Sequence, residues 1–201
     1  MPPLANQLNY IDPTEYLAGE RDSEIKHEYL QGQVFAMAGA SINHNRIVRN
    51  FSSLLWNEMQ DQSCEPVTSD MLLKTADDKY RYPDLMVICE NDDSSDDYVR
   101  ENPVLVVEVL SASTRRVDKT DKHLEYLALP SLQEYVLIEQ DFVEIAVWRR
   151  SANWQVSYYY LGQKVELESV GLALSVEAIY QRVDNEDMQT FIEQQAQDSS
   201  G

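Results

Sequence analysis

The hydrophobic pattern of the chain centres on residues 103–110, PVLVVEVL, a run of Val and Leu with one carboxylate, Glu108, in its middle. A short continuous apolar run of this kind predicts a strand buried on both faces. Strand alternation puts Val106 and Leu110 on the same face as Glu108. An ionised carboxylate in that setting is costly unless a cation or hydrogen-bond donors compensate it.

The rest of the pattern falls into short elements around this strand. Asp12 as N-cap and Pro13 at the first helical position predict a helix over 12–20. Residues 27–39, HEYLQGQVFAMAG, read as a hairpin that turns at Gln31-Gly32. Ser41 caps a longer helix over 42–60, in which Ile47, Val48, Phe51, Leu54 and Leu55 recur at helical spacing. Trp56, in the middle of that helix, is expected in the core. Strands are predicted at 64–68, 71–74, 85–89 and 104–110, and the acidic segment 90–102 is read as solvated and mobile.

From Thr114 the segment TRRVDKTDKHLEYLAL predicts one helix, ended by Pro130. Arg115, Lys119, Lys122 and Tyr126 fall on one side of it, opposite Val117, Leu124 and Ala128. Taken alone, that polar side reads as a solvated face. Strands at 133–139, 143–149 and 154–161 follow, then a helical turn at 175–180 and a frayed Gln- and acid-rich end. With no internal repeat or flexible linker, the expectation is one domain over 1–201, with its core at about 25–180 and an acidic tail at 185–201. The fold class is α/β (α+β), a mixed β-sheet flanked by helices with a C-terminal β extension.

A length of 201 residues suffices for a sizeable core, and a hydrophobic fraction of 43% is ordinary for a globular chain. No stretch suits a membrane span, and the first residues lack the pattern of a secretory signal, so a cytoplasmic location is expected. Cys64 and Cys89 are read as inert buried thiols, neither disulfide-bonded nor metal ligands. The net charge of −19 counts against binding a polyanion, because phosphate neutralisation normally drives nucleic-acid affinity.

Three polar features sit against the apolar strands. Tyr82-Pro83-Asp84 leads into LMVIC, Glu108 lies inside VLVVEVL, and Lys119 and Lys122 lie on the helix that follows. If the two strands pair, Asp84 and Glu108 converge, and a hard divalent cation such as Mg2+ (with Mn2+ as its substitute) relieves their repulsion. Such an ion keeps waters and leaves positions for a phosphate oxygen. A lysine nearby would orient the attacking water or stabilise charge on the phosphate.

YPDLMVIC, then PVLVVEVLSASTRR, then DKHLEYLALPSLQEYVLIE resembles the Uma-two family of restriction-endonuclease-like proteins, within the PD-(D/E)xK nuclease superfamily, from about Tyr29 to Tyr180. The resemblance implies a restriction endonuclease-like core and a magnesium-dependent site that cleaves DNA phosphodiester bonds. It implies Asp84 as the motif aspartate and Glu108 as the motif acid. The superfamily pattern expects lysine two residues after that acid, where this chain has Leu110. In the family the lysine comes from the following helix, which points to Lys122. Glu28 and His44 match accessory positions, and dimeric action is a further implication.

Other readings stay open. Asp70, in TSDMLLK, is either a third carboxylate or a turn residue. Lys119 is the alternative to Lys122, and Arg115 and Arg116 are candidate phosphate contacts. Tyr158, Tyr159 and Tyr160 suit base stacking, or simply a strand. Two alternatives to the endonuclease are a catalytically silent interaction module of the same fold and a metal-dependent hydrolase of smaller phosphate esters.

Overall fold

All six residues of the strand Leu105–Leu110 are buried, and the molecule is layered on either side of it. The computed structural model describes residues 10–90, 92, 94, 96–112 and 114–198. In chain order the elements are α1 (Pro13–Arg21), β1 (His27–Leu30), β2 (Gln33–Ala36), α2 (Ile42–Glu58), β3 (Cys64–Thr68), β4 (Leu72–Ala76), β5 (Lys79–Arg81) and β6 (Leu85–Cys89). Then come β7 (Val99–Arg100), β8 (Leu105–Leu110), α3 (Arg115–Lys119), α4 (Asp121–Leu127), β9 (Glu134–Glu139), β10 (Ile145–Arg149) and β11 (Val156–Tyr159). The chain closes with β12 (Lys164–Leu167), β13 (Leu172–Ser175), α5 (Val176–Ile179) and α6 (Glu186–Asp198).

The main sheet has six strands in the order β11-β10-β9-β8-β6-β3. Only its β8–β9 pair is parallel, and α3 and α4 form the crossover that a parallel pair requires. A second sheet, β2-β1-β5-β4-β7, stands beside it, and β12–β13 form a separate hairpin. The expected mixed sheet flanked by helices, with a β extension towards the C-terminus, is therefore present. One face of the main sheet buries Leu105, Val107 and Val109 against α2 and α5, through Ile47, Phe51, Leu55 and Ile179. The other face carries Val106, Leu110, Tyr135 and Leu137, covered by Tyr126, Leu129 and Leu132.

Local sequence explains the element ends. The Asp12 side chain accepts from Thr14 N at 2.9 Å and Pro13 starts α1, as the capping pattern predicts. Ser41 Oγ accepts from His44 N at 3.1 Å, which starts α2 and fixes the first turn that carries His44. The β1–β2 hairpin turns through Gln31 and Gly32, both at positive φ (51° and 87°), a conformation glycine adopts without strain.

Several expectations need correction. Cys64 and Cys89 are direct partners in the antiparallel β3–β6 register and form a disulfide, so they are not inert thiols. Trp56 is 53% exposed and not part of the core, because α2 turns its Ile47–Phe51–Leu55 stripe inward and Trp56 lies off that stripe. The helix expected from Thr114 breaks at Thr120 (φ −124°, ψ −82°) into α3 and α4. Segment 90–102 is anchored, with Val99 buried and β7 paired to β4; of its acidic run, residues 91, 93 and 95 lie outside the described residues. Within the tail, residues 186–198 form α6 instead of fraying, with Met188 buried and Asp187 accepting from Val143 N at 2.7 Å; residues 199–201 lie outside the described residues. Among the described residues no helix is long and apolar enough to cross a membrane.

Candidate active site

The start of β6 and the middle of β8 interlock through their own carboxylates. Antiparallel register pairs Leu85 with Val107, so Asp84 and Glu108 lie one step further along the same ladder. Asp84 Oδ2 accepts from Val109 N at 2.7 Å, and Glu108 Oε2 accepts from Asp84 N at 3.3 Å. His44, from the first turn of α2, places Nε2 3.1 Å from the same Asp84 oxygen. Pro83 brings no amide hydrogen of its own to compete for these acceptors.

Glu108 is 3% exposed, and its second oxygen meets two groups from α4. Lys122 Nζ donates to Glu108 Oε1 at 2.9 Å and Tyr126 Oη donates to it at 2.8 Å. The break at Thr120 starts α4 afresh with its polar side inward. Lys122 is 7% exposed and Tyr126 fully buried, while Leu124 is 70% exposed. The polar side of this helix therefore faces the protein and not solvent, which overturns its reading from periodicity alone.

Lys122 is the hub of the cluster. Glu28 Oε1 lies 3.2 Å from its Nζ and Asp118 Oδ1 lies 3.4 Å away. Glu28 is held in place by Arg81, whose Nη1 donates to it at 2.8 Å. The same guanidinium forks onto Glu125, through Nε at 2.9 Å and Nη2 at 2.8 Å. Lys79 completes the edge of the network, 3.2 Å from Glu125.

The electrostatics follow from this crowding. Burial alone would discharge Lys122, but Glu108, Glu28 and Asp118 reverse that and hold its ammonium strongly protonated. Burial drives the Glu108 carboxyl well above its ordinary range; Lys122 pulls it back, and Asp118 and Asp84 push it up again. Asp118 is also raised, by burial first, with Lys122 and the Thr114 hydroxyl opposing and Asp84 adding to the rise. Lys122 is thus the fixed charge, and the carboxylates compete for it. Burial and the Glu108 charge keep the Tyr126 phenol protonated as a donor. Four carboxylates (Glu28, Asp84, Glu108, Asp118) surround Lys122 and Arg81, while Glu125 and Lys79 balance at the edge.

Of the sequence candidates, the fold brings together Asp84, Glu108, Lys122, Glu28 and His44. It does not bring Asp70, whose side chain is 87% exposed and pairs with Lys26 at 2.6 Å on the turn after β3. Lys119 and Arg115 are also separate, gripping Glu139 at 2.9 and 2.8 Å from α3. Glu139 is the register partner of Leu110, so the position where the strand motif expects lysine lies beside a carboxylate already engaged by two cations. Leu110 itself is buried and borders a cleft of about 220 Å³ with Lys119, Glu139 and Trp148. A larger cavity, about 570 Å³, lies against the Cys64–Cys89 disulfide and Trp56, among none of the cluster's side chains. Asp118 and Arg81 went unread in the sequence. Asp118 precedes Lys122 by four residues, an ion-pairing interval on a helix and the one available signal.

A family model described as "Putative restriction endonuclease", Uma2, matches residues 13–177. The chain belongs to the Uma2 family. Two Synechocystis relatives, described as uncharacterized proteins slr1290 and sll1609, are 36% and 39% identical over 173 and 162 residues. Those alignments cover 85% and 79% of this chain and 91% and 92% of the relatives. A crystal structure from Anabaena variabilis, titled "a putative nuclease belonging to DUF820", superposes with a TM-score of 0.71 at 18% identity, covering 85% of this chain and 97% of its own. At that identity the likeness shows the fold, which this Uma2 chain shares with that structure.

Among the described residues no three His, Cys, Asp or Glu side chains form a ready-made metal cage. Magnesium does not require one, since it binds through one or two carboxylates and retains waters. Asp84 and Glu108 provide that pair on adjoining strands. The residues present therefore fit such an ion.

Proposed function

We propose that this Uma2 chain is a magnesium-dependent endonuclease that hydrolyses DNA phosphodiester bonds, with Mn2+ as a substitute ion. The observation that carries this reading is the convergence of the Asp84 and Glu108 carboxylates on adjoining strands, each accepting a backbone N–H of the other's strand. Asp84 and Glu108 would hold the cation. Bound there, it would supply Lewis-acid polarisation of the scissile phosphate and a water of lowered pKa. Lys122, which stays protonated, would stabilise negative charge developing on the phosphate. His44 orients Asp84 through their hydrogen bond, and Tyr126 restrains Glu108 through its phenol.

Plasmid cleavage with added Mg2+ or Mn2+ tests this directly. Asp84→Asn and Glu108→Gln, both isosteric, should each abolish metal-stimulated cleavage while the circular dichroism spectrum of the fold persists. Undiminished cleavage by either variant would refute the mechanism.

A second reading, a catalytically silent interaction module, is favoured by the net charge of −19 and by leucine at position 110. Titration calorimetry separates the two, because the silent module takes up no divalent ion at millimolar concentration. Plasmid compared with oligonucleotide and nucleotide substrates tests the remaining option, a hydrolase of small phosphate esters.

A further inference from the structure

Asp118 is 1% exposed, and its Oδ1 has no hydrogen-bond donor among the described residues. A carboxylate oxygen without a hydrogen-bond donor at that depth is costly, so its position needs a reason. Its partner in charge is Lys122, whose Nζ stands 3.4 Å from this oxygen while donating to Glu108 at 2.9 Å. The other oxygens within reach of Lys122 are committed. Glu108 Oε1 also takes the Tyr126 hydroxyl, and Glu28 Oε1 also accepts from Tyr82 N at 3.5 Å while Arg81 holds its Oε2. Asp118 therefore offers the open acceptor beside the ammonium.

Glu108 has two incompatible duties in the proposed site. It pairs with Lys122 as the structure stands, and it is one of the two carboxylates suited to a divalent ion. An ammonium and a divalent cation on the same carboxylate repel each other strongly at low dielectric. We propose that Asp118 is the alternative seat of Lys122: a positioning residue that takes the ammonium from Glu108 when a divalent cation occupies the Asp84–Glu108 pair. The movement needed is small, from 3.4 Å to hydrogen-bond distance on Asp118. It needs no change in protonation, because Lys122 remains charged on either seat. The break between α3 and α4 lies between the two residues, so Asp118 and Lys122 are not locked in one helical register. The inference rests on the metal-dependent reading of the site and assigns Asp118 a role that the sequence motif does not.

Crystals of the wild-type protein, grown with chelator and then with Mn2+, test the position directly. Lys122 should donate to Glu108 in the first and to Asp118 in the second. Lys122 remaining on Glu108 with Mn2+ bound overturns the proposal and leaves the metal reading intact, whereas no Mn2+ uptake overturns both.

Calorimetric Mn2+ affinities then give a readout that a merely structural role would not move. Lys122→Met should change affinity by less than about threefold in the wild-type background, where the lysine has a seat on Asp118. In the Asp118→Asn background the same change should tighten binding by about tenfold or more, because the lysine there has only Glu108 to compete for. Equal effects in the two backgrounds mean simple addition of charges and overturn the proposal.

Discussion

Lys122 and Glu108 are fourteen positions apart in the chain and 2.9 Å apart in space, both of them buried. Neither charge is tenable there alone. Lys122→Met leaves Glu108 and its neighbouring acids without their shared cation, and it should cost on the order of 3–5 kcal/mol in urea denaturation. Adding Glu108→Leu removes the stranded carboxylate and should recover a large part of that loss, since buried ion pairs exchange for apolar residues at little cost. The double variant should be folded and inactive. Failure to recover stability would show that Glu28 and Asp118, not Glu108, dominate the demand for the lysine.

Glu125 supplies a pH dependence with a definite sign. Burial would raise its carboxyl, but the Arg81 fork and Lys79 prevail and hold it below its ordinary value of 4.5. A carboxyl depressed in the folded state contributes stability that is fully present above about 4.5 and is lost as pH falls through the folded value. Thermal unfolding followed from pH 6 downward should therefore show a shallower acid loss in Glu125→Gln than in wild type. Parallel curves would mean that Arg81 leaves Glu125 and pairs with Glu28 alone.

How much of this was legible beforehand depends on whether the cause is local. Glu108 was readable because a carboxylate inside Val and Leu breaks a local pattern, and Asp84 because Pro83 and the following apolar run mark a strand start. Lys122 was not readable from periodicity. Helical spacing reports which residues share a face, not which face is inside, and α4 buries Lys122 and Tyr126 while exposing Leu124. Asp118 sits among charges in RRVDKTDK, where an acid looks like surface. The disulfide and the short strands β5 and β7 depend on register between distant segments, which no local window contains.

The Cys64–Cys89 bridge joins the edge strand β3 to β6, the strand that begins immediately after Asp84. It closes a span of 25 residues, for which loop-closure entropy gives about 3–4 kcal/mol of stabilisation. Reductant, or the double change Cys64→Ser with Cys89→Ser, should lower the urea midpoint accordingly. Cleavage should persist once folding is restored by temperature or salt, since neither cysteine touches the Glu108 cluster. Coincident loss of activity in a fully folded reduced protein would tie the register of β6 to the position of Asp84.

A ligand that binds only the folded state raises its stability by an amount fixed by concentration over Kd, about 2.7 kcal/mol at one hundred times Kd. If the proposed metal site is correct, Mg2+ should therefore raise the melting temperature of the wild-type protein in a concentration-dependent way. A cation bound there would also relieve the crowding of Asp84, Glu108 and Asp118, so its effect should exceed that of Na+ at matched ionic strength, which only screens. Glu108→Gln removes one of the two proposed ligands. It should lower the metal-free melting temperature, because it removes the carboxylate that accepts from buried Lys122. The same variant should lose the response to Mg2+. A metal-independent melting temperature in wild type, or a full Mg2+ response in Glu108→Gln, would remove Glu108 from the metal site and return the strand to a purely structural role.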